Sequence, residues 1–322
     1  MSPHPFPCLR TALPLILITA VVCGPACRRT PAPAPRESLR FTTGTPGAGV
    51  HPLGQALANA YAAALPLVDI RVQESAGSVA NVEALQHDHA DIGLSYSDVA
   101  YMAYAGQLGE RPQVFADLRG IAVLELAPVH VVVRAGLGIT QPSGLRGRRV
   151  AVGPTGSGSA LTARLVLKAF GIEAGDVQIE ALKYNEAAAR LAAGTLDALF
   201  VTGSEPVESV RESTRAGARL LPLSGPAIEQ LRHDYPFFRP TVIRGGTYPN
   251  HPASVHTIGV DNLLVCRRGL DEALVHELTR QFFASLPTLS VRSLVDLDQA
   301  PATPIPLHDG AARYYREREL AR

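Results

Sequence analysis

Short apolar runs with strand character alternate with helical patterns, and the first series occupies residues 39–95. Residues 39–42 read as a strand, and apolar positions at helical spacing follow over residues 53–64. A second strand pattern covers residues 68–72, a helix begins at Ser78, and residues 91–95 form the next strand pattern. Strands that alternate with helices predict a parallel α/β unit.

The same order recurs in the second half of the chain. Strand patterns at residues 149–152, 177–181 and 197–201 alternate with helical patterns at residues 161–169 and 185–193. Two copies of one series predict two α/β lobes, each a mostly parallel sheet flanked by helices.

Two further stretches predict chain crossings between the lobes. Residues 121–133 contain two strand-like runs broken at Pro128, and residues 256–266 read as one long strand. Two crossings would make lobe I discontinuous, with residues 39–131 plus 256–322, and leave residues 132–255 to lobe II. A ligand is expected in the cleft between such lobes.

In both copies the first strand leads into a glycine-rich turn before a helix, at residues 43–49 and 153–159. Glycine permits a close approach of the backbone to a ligand, and the start of a helix offers unpaired N–H groups. The pair predicts two anion-binding turns that face one cleft. The alternative, a glycine turn that only starts a helix, stays open.

The second turn differs from the nucleotide-binding P-loop, although Gly153 and Gly158 have its spacing. That loop continues with Lys and Ser/Thr, whereas Ser159 and Ala160 stand here. A carboxylate needs only a few N–H donors and a hydroxyl, so we expect a carboxylate rather than a triphosphate.

Catalytic and metal chemistry find little support in the residue pattern. His87, Asp88, His89 and Asp91 lie where a helix ends and a strand begins, so a solvated turn is favoured over a metal site. No Ser/His/Asp or Cys/His set rises above chance spacing. We therefore expect a binding protein with no metal and no cofactor, not an enzyme.

The balance of charge argues against nucleic acid as a partner. The chain has 322 residues, of which 46% are hydrophobic and 18% charged, and its formal net charge is +1. Such a chain is long enough for two domains with real cores but lacks a basic surplus.

The N-terminal residues resemble an export signal. Arg10 precedes an apolar run at residues 13–22, and small residues precede Cys27. We expect residues 1–26 to be a signal peptide, Cys27 to be lipidated, and residues 27–38, rich in Pro and Ala, to be a stiff tether. Plain secretion with cleavage near Ala26 is the alternative. Only Cys266 remains in the folded body, without a disulfide partner.

Six motifs together resemble one known family. They are V-x-E-S-x-G-S-x-x-N at residues 72–81, Y-S-D-V-A-Y at 96–101, V-G-P-x-G-S-G at 152–158, L-D-A-x-F-V at 196–201, G-T-Y-P at 246–249 and L-H-x-G-A-x-R-Y-Y at 307–315. In order and spacing they are similar to the TAXI family, the extracytoplasmic solute receptors of TRAP transporters.

This resemblance implies the two-lobed type II periplasmic-binding-protein fold and capture of a small anionic solute by lobe closure. It also implies delivery to a sodium-driven TRAP-type permease. Known family ligands are small carboxylates, among them glutamate-like amino acids and 2-oxoacids. Service to a sensor kinase or another importer is the first alternative, and an enzyme built on the same fold is the second.

Carried over position by position, the resemblance also implies a set of ligand-binding residues. They are Gly47, Ala48, Gly77, Ser78, Asn81, Ser97, Asp98, Gly156, Ser157, Gly158, Ser159 and Tyr248.

Two departures from the family pattern alter the expected pocket. Val50 and His51 replace two aromatic residues, and Tyr96 replaces a glutamine. We include His51 in the predicted site because it could favour a more acidic ligand. A solvated histidine at a helix start is the alternative.

Overall fold

The computed structural model describes residues 1, 37–45, 50–109, 113–288 and 298–320. Residues 36–322 form one compact unit, which contains all the elements below. The predicted signal peptide, Cys27, most of the tether, Gly47 and Ala48 lie outside the described residues.

Helices and strands alternate through this unit. The strands are β1 (Glu37–Thr42), β2 (Val68–Gln73), β3 (Ile92–Tyr96), β4 (Leu118–Val133), β5 (Arg149–Ala151), β6 (Gln178–Glu180), β7 (Ala198–Thr202), β8 (Arg219–Leu221), β9 (Arg239–Ile243) and β10 (Val255–Arg267). The helices are α1 (Val50–Ala64), α2 (Ser78–Gln86), α3 (Ser97–Tyr104), α4 (Gly158–Ala169), α5 (Tyr184–Ala192), α6 (Glu208–Arg215), α7 (Pro226–Asp234), α8 (Glu272–Ser285) and α9 (Asp309–Leu320).

The strands form one mixed sheet in the order β2-β1-β3-β10-β4-β7-β5-β6, with β8 beside β4 and β9 beside β10. We call β2, β1, β3 and the adjoining stretches of β10 and β4 the first half. The second half comprises β7, β5, β6, β8 and the end of β4 that pairs with them. β1 is parallel to β2 and β3, and β5 is parallel to β6 and β7, as the two predicted α/β units require. The predicted α/β fold class is confirmed.

The two halves are joined by the long antiparallel strands β4 and β10. The sequence predicts a break at Pro128, but β4 runs through it without interruption. Up to Pro128 the strand pairs with β10, and from Val129 onward it pairs with β7. The missing N–H of proline therefore falls where the strand changes partners, and so it does not end the strand.

One ionic arrangement occurs in both halves and confirms the repeat at the level of single side chains. The Arg40 N–H donates to Asp91 Oδ2 at 2.7 Å, and the Asp91 N–H donates to the Arg40 carbonyl at 2.9 Å. Arg149 and Asp197 make the same two bonds at 3.1 and 3.0 Å. A second arginine completes each group, Arg267 at 2.7 Å from Asp91 and Arg134 at 3.0 Å from Asp197.

These arginines lower the pKa of both carboxyls. At Asp91, burial raises the pKa, but hydrogen bonds from Arg40 and Arg267 outweigh it, so the net pKa is lowered. At Asp197, the Arg149 side chain lowers the pKa and burial opposes it. Asp88, one of the acidic residues near Asp91 at which the sequence favours a solvated turn over a metal site, also pairs with Arg40 and Arg267. Among the described residues no group of side chains is suited to a metal ion.

Apolar side chains cover both faces of the sheet, and one cluster joins the two halves. It unites Tyr96 and Met102 of the first half with Ala160, Val166 and Phe200 of the second. The halves are therefore packed together rather than separated. In the part of the chain that the structure describes, no helix has the length and apolar character needed to cross a bilayer.

Replacing Asp91 or Asp197 by Asn should lower the free energy of unfolding at pH 7 by about 2–4 kcal/mol each, because it leaves buried arginine contacts without a charge. The carboxyl side chains are only 5% and 8% exposed. Folding lowers the pKa of both carboxyls below the value of an unfolded Asp, which is about 4. The stabilisation is therefore complete above about pH 4 and is lost progressively as the pH falls toward the folded-state pKa values.

Urea unfolding at pH 7 and pH 3 measures the effect. The control is Asp117→Asn, whose side chain is 57% exposed and lies 3.3 Å from Arg268. Equal stability of Asp91→Asn and the control at pH 7 would contradict this account.

Candidate functional site

The start of α2 contacts the second glycine turn across the two halves. The N–H groups of Val79 and Ala80 both donate to the Gly156 carbonyl, at 3.1 and 3.2 Å. These are N–H groups that a helix leaves without an internal partner. Their acceptor comes from the opposite half, so the α2 N-terminus and the turn before α4 meet at one place.

Glycine is required on both sides of this contact. Gly77 has φ +130°, and a Cβ there would lie 3.2 Å from Ser157 Cα. A Cβ on Gly158 would lie 2.5 Å from Tyr96 Cδ2 and 2.9 Å from Ser78 Oγ. Any side chain at position 158 would therefore force Tyr96 and Ser78 away from α4.

Hydroxyl groups gather beside the start of α4. The Ser157 hydroxyl accepts from the Ala160 N–H at 3.2 Å and caps the helix. The Ser159 hydroxyl accepts from the Thr202 N–H and the Tyr184 hydroxyl, both at 3.0 Å. Burial raises the pKa of Tyr184, so this phenol stays a neutral donor at physiological pH.

Tyr96 fills the space between the halves at this point. Its ring packs on Gly158, and its hydroxyl donates to the Thr202 carbonyl at 2.8 Å. Its own N–H donates to the Ser78 hydroxyl at 3.1 Å. The residue that departs from the family pattern therefore bridges the two halves directly.

The side chains of Ser97 and Asp98 have hydrogen-bond partners within the protein. The Ser97 hydroxyl accepts from the Asp261 N–H at 3.1 Å. The Asp98 carboxylate accepts from the Thr162 hydroxyl at 2.6 Å and thereby links α3 to α4. Burial raises the pKa of Asp98 to about 6, against the opposing hydrogen bonds from Thr162 and Val99.

Asn81 ties α2 to the first glycine turn. Its amide donates to the carbonyls of Thr43 and Leu94, at 2.5 and 2.7 Å, and accepts from the Thr42 hydroxyl at 2.6 Å. His51 Nδ1 lies 3.1 Å from the Gly44 carbonyl of the same turn. Both predicted residues therefore contact the described start of the first turn, at Thr43 and Gly44.

Tyr248 lies inside the apolar core of the second half. Its hydroxyl accepts from the Val207 N–H at 2.9 Å and lies 3.0 Å from His130 Nε2. Burial lowers the pKa of His130 to about 4, so the imidazole is neutral at physiological pH. Tyr248 is only 2% exposed.

A row of polar residues crosses the first half of the sheet and meets the second half at Ser204. Tyr96 on β3 pairs with Asn262 on β10, which pairs with Glu125 on β4. The Glu125 carboxylate accepts a short hydrogen bond from Ser204, just beyond the end of β7. Burial raises the pKa of Glu125, and Ser204 and Asn262 oppose that rise. Ligands bind at such strand ends in α/β folds.

One cavity borders the contact between α2 and the second turn, and another is bordered by the first turn and α5. The first, of about 520 Å³, lies between α2 and α4 and is bordered by Glu83, Arg164 and Ser157. The other, of about 440 Å³, is bordered by Thr45 of the first turn and Tyr184 of α5.

Sequence reasoning missed several residues that meet here, namely Tyr96 as a bridge, Tyr184, Thr202, Ser204, Glu125 and Asn262. Tyr184 had a usable signal, because it begins α5 as Ser78 begins α2 in the other copy. Glu125 and Asn262 had none, because their juxtaposition depends on the pairing register of two strands far apart in sequence.

Comparison with known proteins agrees with this geometry. The model of the NMT1-like family matches residues 41–318. MatC from Rhodopseudomonas palustris, solved with bound malate, aligns with a TM-score of 0.59 at 14% identity, covering 89% of this chain and 98% of MatC.

Two further solved structures align over most of the chain. The periplasmic binding protein BugD gives a TM-score of 0.56 at 12% identity and covers 89% of this chain and 95% of BugD. A protein described as a periplasmic transporter gives 0.53 at 14% identity, with 89% and 96% covered. The fold is that of periplasmic binding proteins.

Replacing Gly158 by Ala should lower the free energy of unfolding by about 1–3 kcal/mol, because the added methyl overlaps Tyr96 and Ser78. Thermal and urea unfolding of the purified variant measure the loss. Gly175→Ala is the control, because a Cβ there meets no atom within 4 Å. A Gly158→Ala protein as stable as this control would show that the halves are not packed as described.

Proposed function

Since the chain belongs to the NMT1-like family and has the fold of periplasmic binding proteins, we propose that it is an exported solute-binding receptor. It captures a small carboxylate between its halves and releases it to a membrane transporter. MatC, whose structure contains malate, is a carboxylate-binding protein of the same fold.

The observation that carries this proposal is the meeting of two helix starts from opposite halves. Within the described residues, the N–H groups of Ser78, Gly158 and Ser159 donate no hydrogen bond. Helix starts carry a positive partial charge and unpaired donors, which together suit a carboxylate. The Ser78 and Ser97 hydroxyls accept N–H groups and keep their own protons for a ligand oxygen.

The lobes of this receptor are residues 39–131 plus 256–322 and residues 132–255. Opening would break the bonds of Val79 and Ala80 to Gly156, of Tyr96 to Thr202 and of Thr162 to Asp98. The neutral bonds among these contribute about 1 kcal/mol each, and the bond to the Asp98 carboxylate contributes about 1.5–3 kcal/mol, so a ligand carboxylate can compete with them. β4 and β10 would stay paired and act as the hinge.

The transporter is of the TRAP type in this proposal, and the receptor is exported to the periplasm and anchored through Cys27. The type of transporter rests on the resemblance of the six motifs to the TAXI family, whereas export and the anchor rest on the signal-like pattern of residues 10–27. A receptor that serves a sensor kinase or another importer is the alternative. The second alternative is an enzyme on the same fold. Turnover of a bound ligand by the purified protein would support it.

Carboxylates should raise the melting temperature of the purified mature chain, because they bind only its folded form. A thermal-shift screen of L-glutamate, 2-oxoglutarate and malate tests this, with titration calorimetry for each acid that gives a shift. Tyr184→Phe should weaken binding roughly 10-fold, because the Ser159 hydroxyl loses the partner that orients it.

Tyr101→Phe is the matched control, because it also removes a tyrosine hydroxyl. Tyr101 packs its ring against Phe237 and is 37% exposed. This variant should bind as the wild type does. If no small carboxylate shifts the melting temperature, or if both variants bind alike, the proposed site is wrong.

A further inference from the structure

We infer that Glu125, together with Asn262, is the partner of a protonated amine on the bound ligand, so that the ligand is an amino acid rather than a 2-oxo acid or a dicarboxylate. This inference rests on the proposed function and deepens it. It assigns the positive end of the ligand to the polar row between the halves and the carboxylate to the helix starts.

The first observation is that buried polar atoms in this row lack partners. Glu125 is 2% exposed and Asn262 is fully buried. Within the described residues, Glu125 Oε2 and both amide atoms of Asn262 have no hydrogen bond. Buried polar groups in native proteins are satisfied with few exceptions, and each orphan is costly. Burial raises the pKa of Glu125 and Asn262 faces it closely enough to oppose that rise, but no hydrogen bond of good geometry joins them. The open oxygens of both side chains indicate that a polar ligand group completes the row.

The chemistry of these atoms favours a donor that carries a positive charge. One oxygen of Glu125 already accepts from Ser204, and the other is an open acceptor. A carboxylate or a keto oxygen placed there would face the Glu125 charge. An ammonium group would donate to Glu125 and to the Asn262 oxygen, and it would compensate the burial of the carboxylate.

The position of the row also fits. Asn262 pairs with Tyr96, the last residue of β3, and Glu125 pairs with Asn262 from the other side. Glu125 therefore lies level with the end of β3, two strands away from Ser97. Ser204 is two residues beyond Thr202, whose N–H reaches Ser159 at the start of α4. Two residues span at most about 7 Å of chain, so one small molecule can reach the α4 start and Glu125 together.

The charge of the cavity wall beside Tyr184 also favours an amino acid as the ligand. Its wall contains Glu74, Glu208 and Glu212 but only one cation, Lys183, which gives −3 + 1 = −2. At physiological salt such charges act over about 8 Å and repel a dianion more than a zwitterion. A cavity wall of this charge is suited to a ligand that carries its own positive group.

The experiment is titration calorimetry of the mature protein with matched acids that differ only in an amine or a keto group. The pairs are L-alanine and pyruvate, L-aspartate and oxaloacetate, L-glutamate and 2-oxoglutarate, and L-leucine and 4-methyl-2-oxopentanoate. In the best-binding pair the amino acid should bind roughly 10- to 100-fold more tightly than its partner.

Glu125→Gln should reduce that preference to less than about 3-fold, since it keeps the side-chain shape but removes the charge. Glu229→Gln, on an exposed position of α7, should keep it. The wild-type preference is measured without any variant, so a folding defect in Glu125→Gln leaves the inference testable. If keto acids bind as tightly as their amino partners, Glu125 does not bind an amine, although the receptor function stands. If no acid of either series binds, the proposed function itself fails.

Discussion

The long antiparallel pairing of β4 with β10 is the constraint on which the rest of the structure depends. These two strands pass from one half to the other, so the halves cannot slide apart and can separate only by bending about them. The change of partner at Pro128, opposite Gly259, places the bend between the halves. The same pairing brings the end of β3 and the loop after β7 together, and so it creates the site.

Some of the hydrogen-bonding groups at the site already have partners within the protein. The Gly156 carbonyl accepts the two α2 N–H groups, and the Tyr96 ring covers Gly158. A ligand therefore competes with weak internal contacts rather than entering an empty pocket. The groups that gain no internal partner, the first N–H groups of α4 and the row at Glu125, are those with most to gain from a ligand. In the proposed receptor, this division would let the halves open readily and still bind the ligand specifically.

Much of this fold could be predicted from the sequence, because helices, strands and glycine turns depend on residues that lie close together in the chain. The duplicated series, the turn before α4 and the helix at Ser78 lie where the pattern predicts them, and the Arg40–Asp91 and Arg149–Asp197 pairs show the repeat again. Glu125 could not be predicted as a site residue, because a single acidic residue in an apolar strand is also expected at the edge of a sheet. Its contact with Asn262 depends on a register between strands more than a hundred residues apart.

Hydrogen–deuterium exchange of single amides in the ligand-free mature protein tests the central claim most directly. If the halves bend about β4 and β10, the Val79 and Ala80 amides should exchange through a low-energy opening, much faster than amides paired between the two strands. A carboxylate that raises the melting temperature should slow them. Equal protection of the Val79 and Ala80 amides and the strand amides, unchanged by such an acid, would contradict the account.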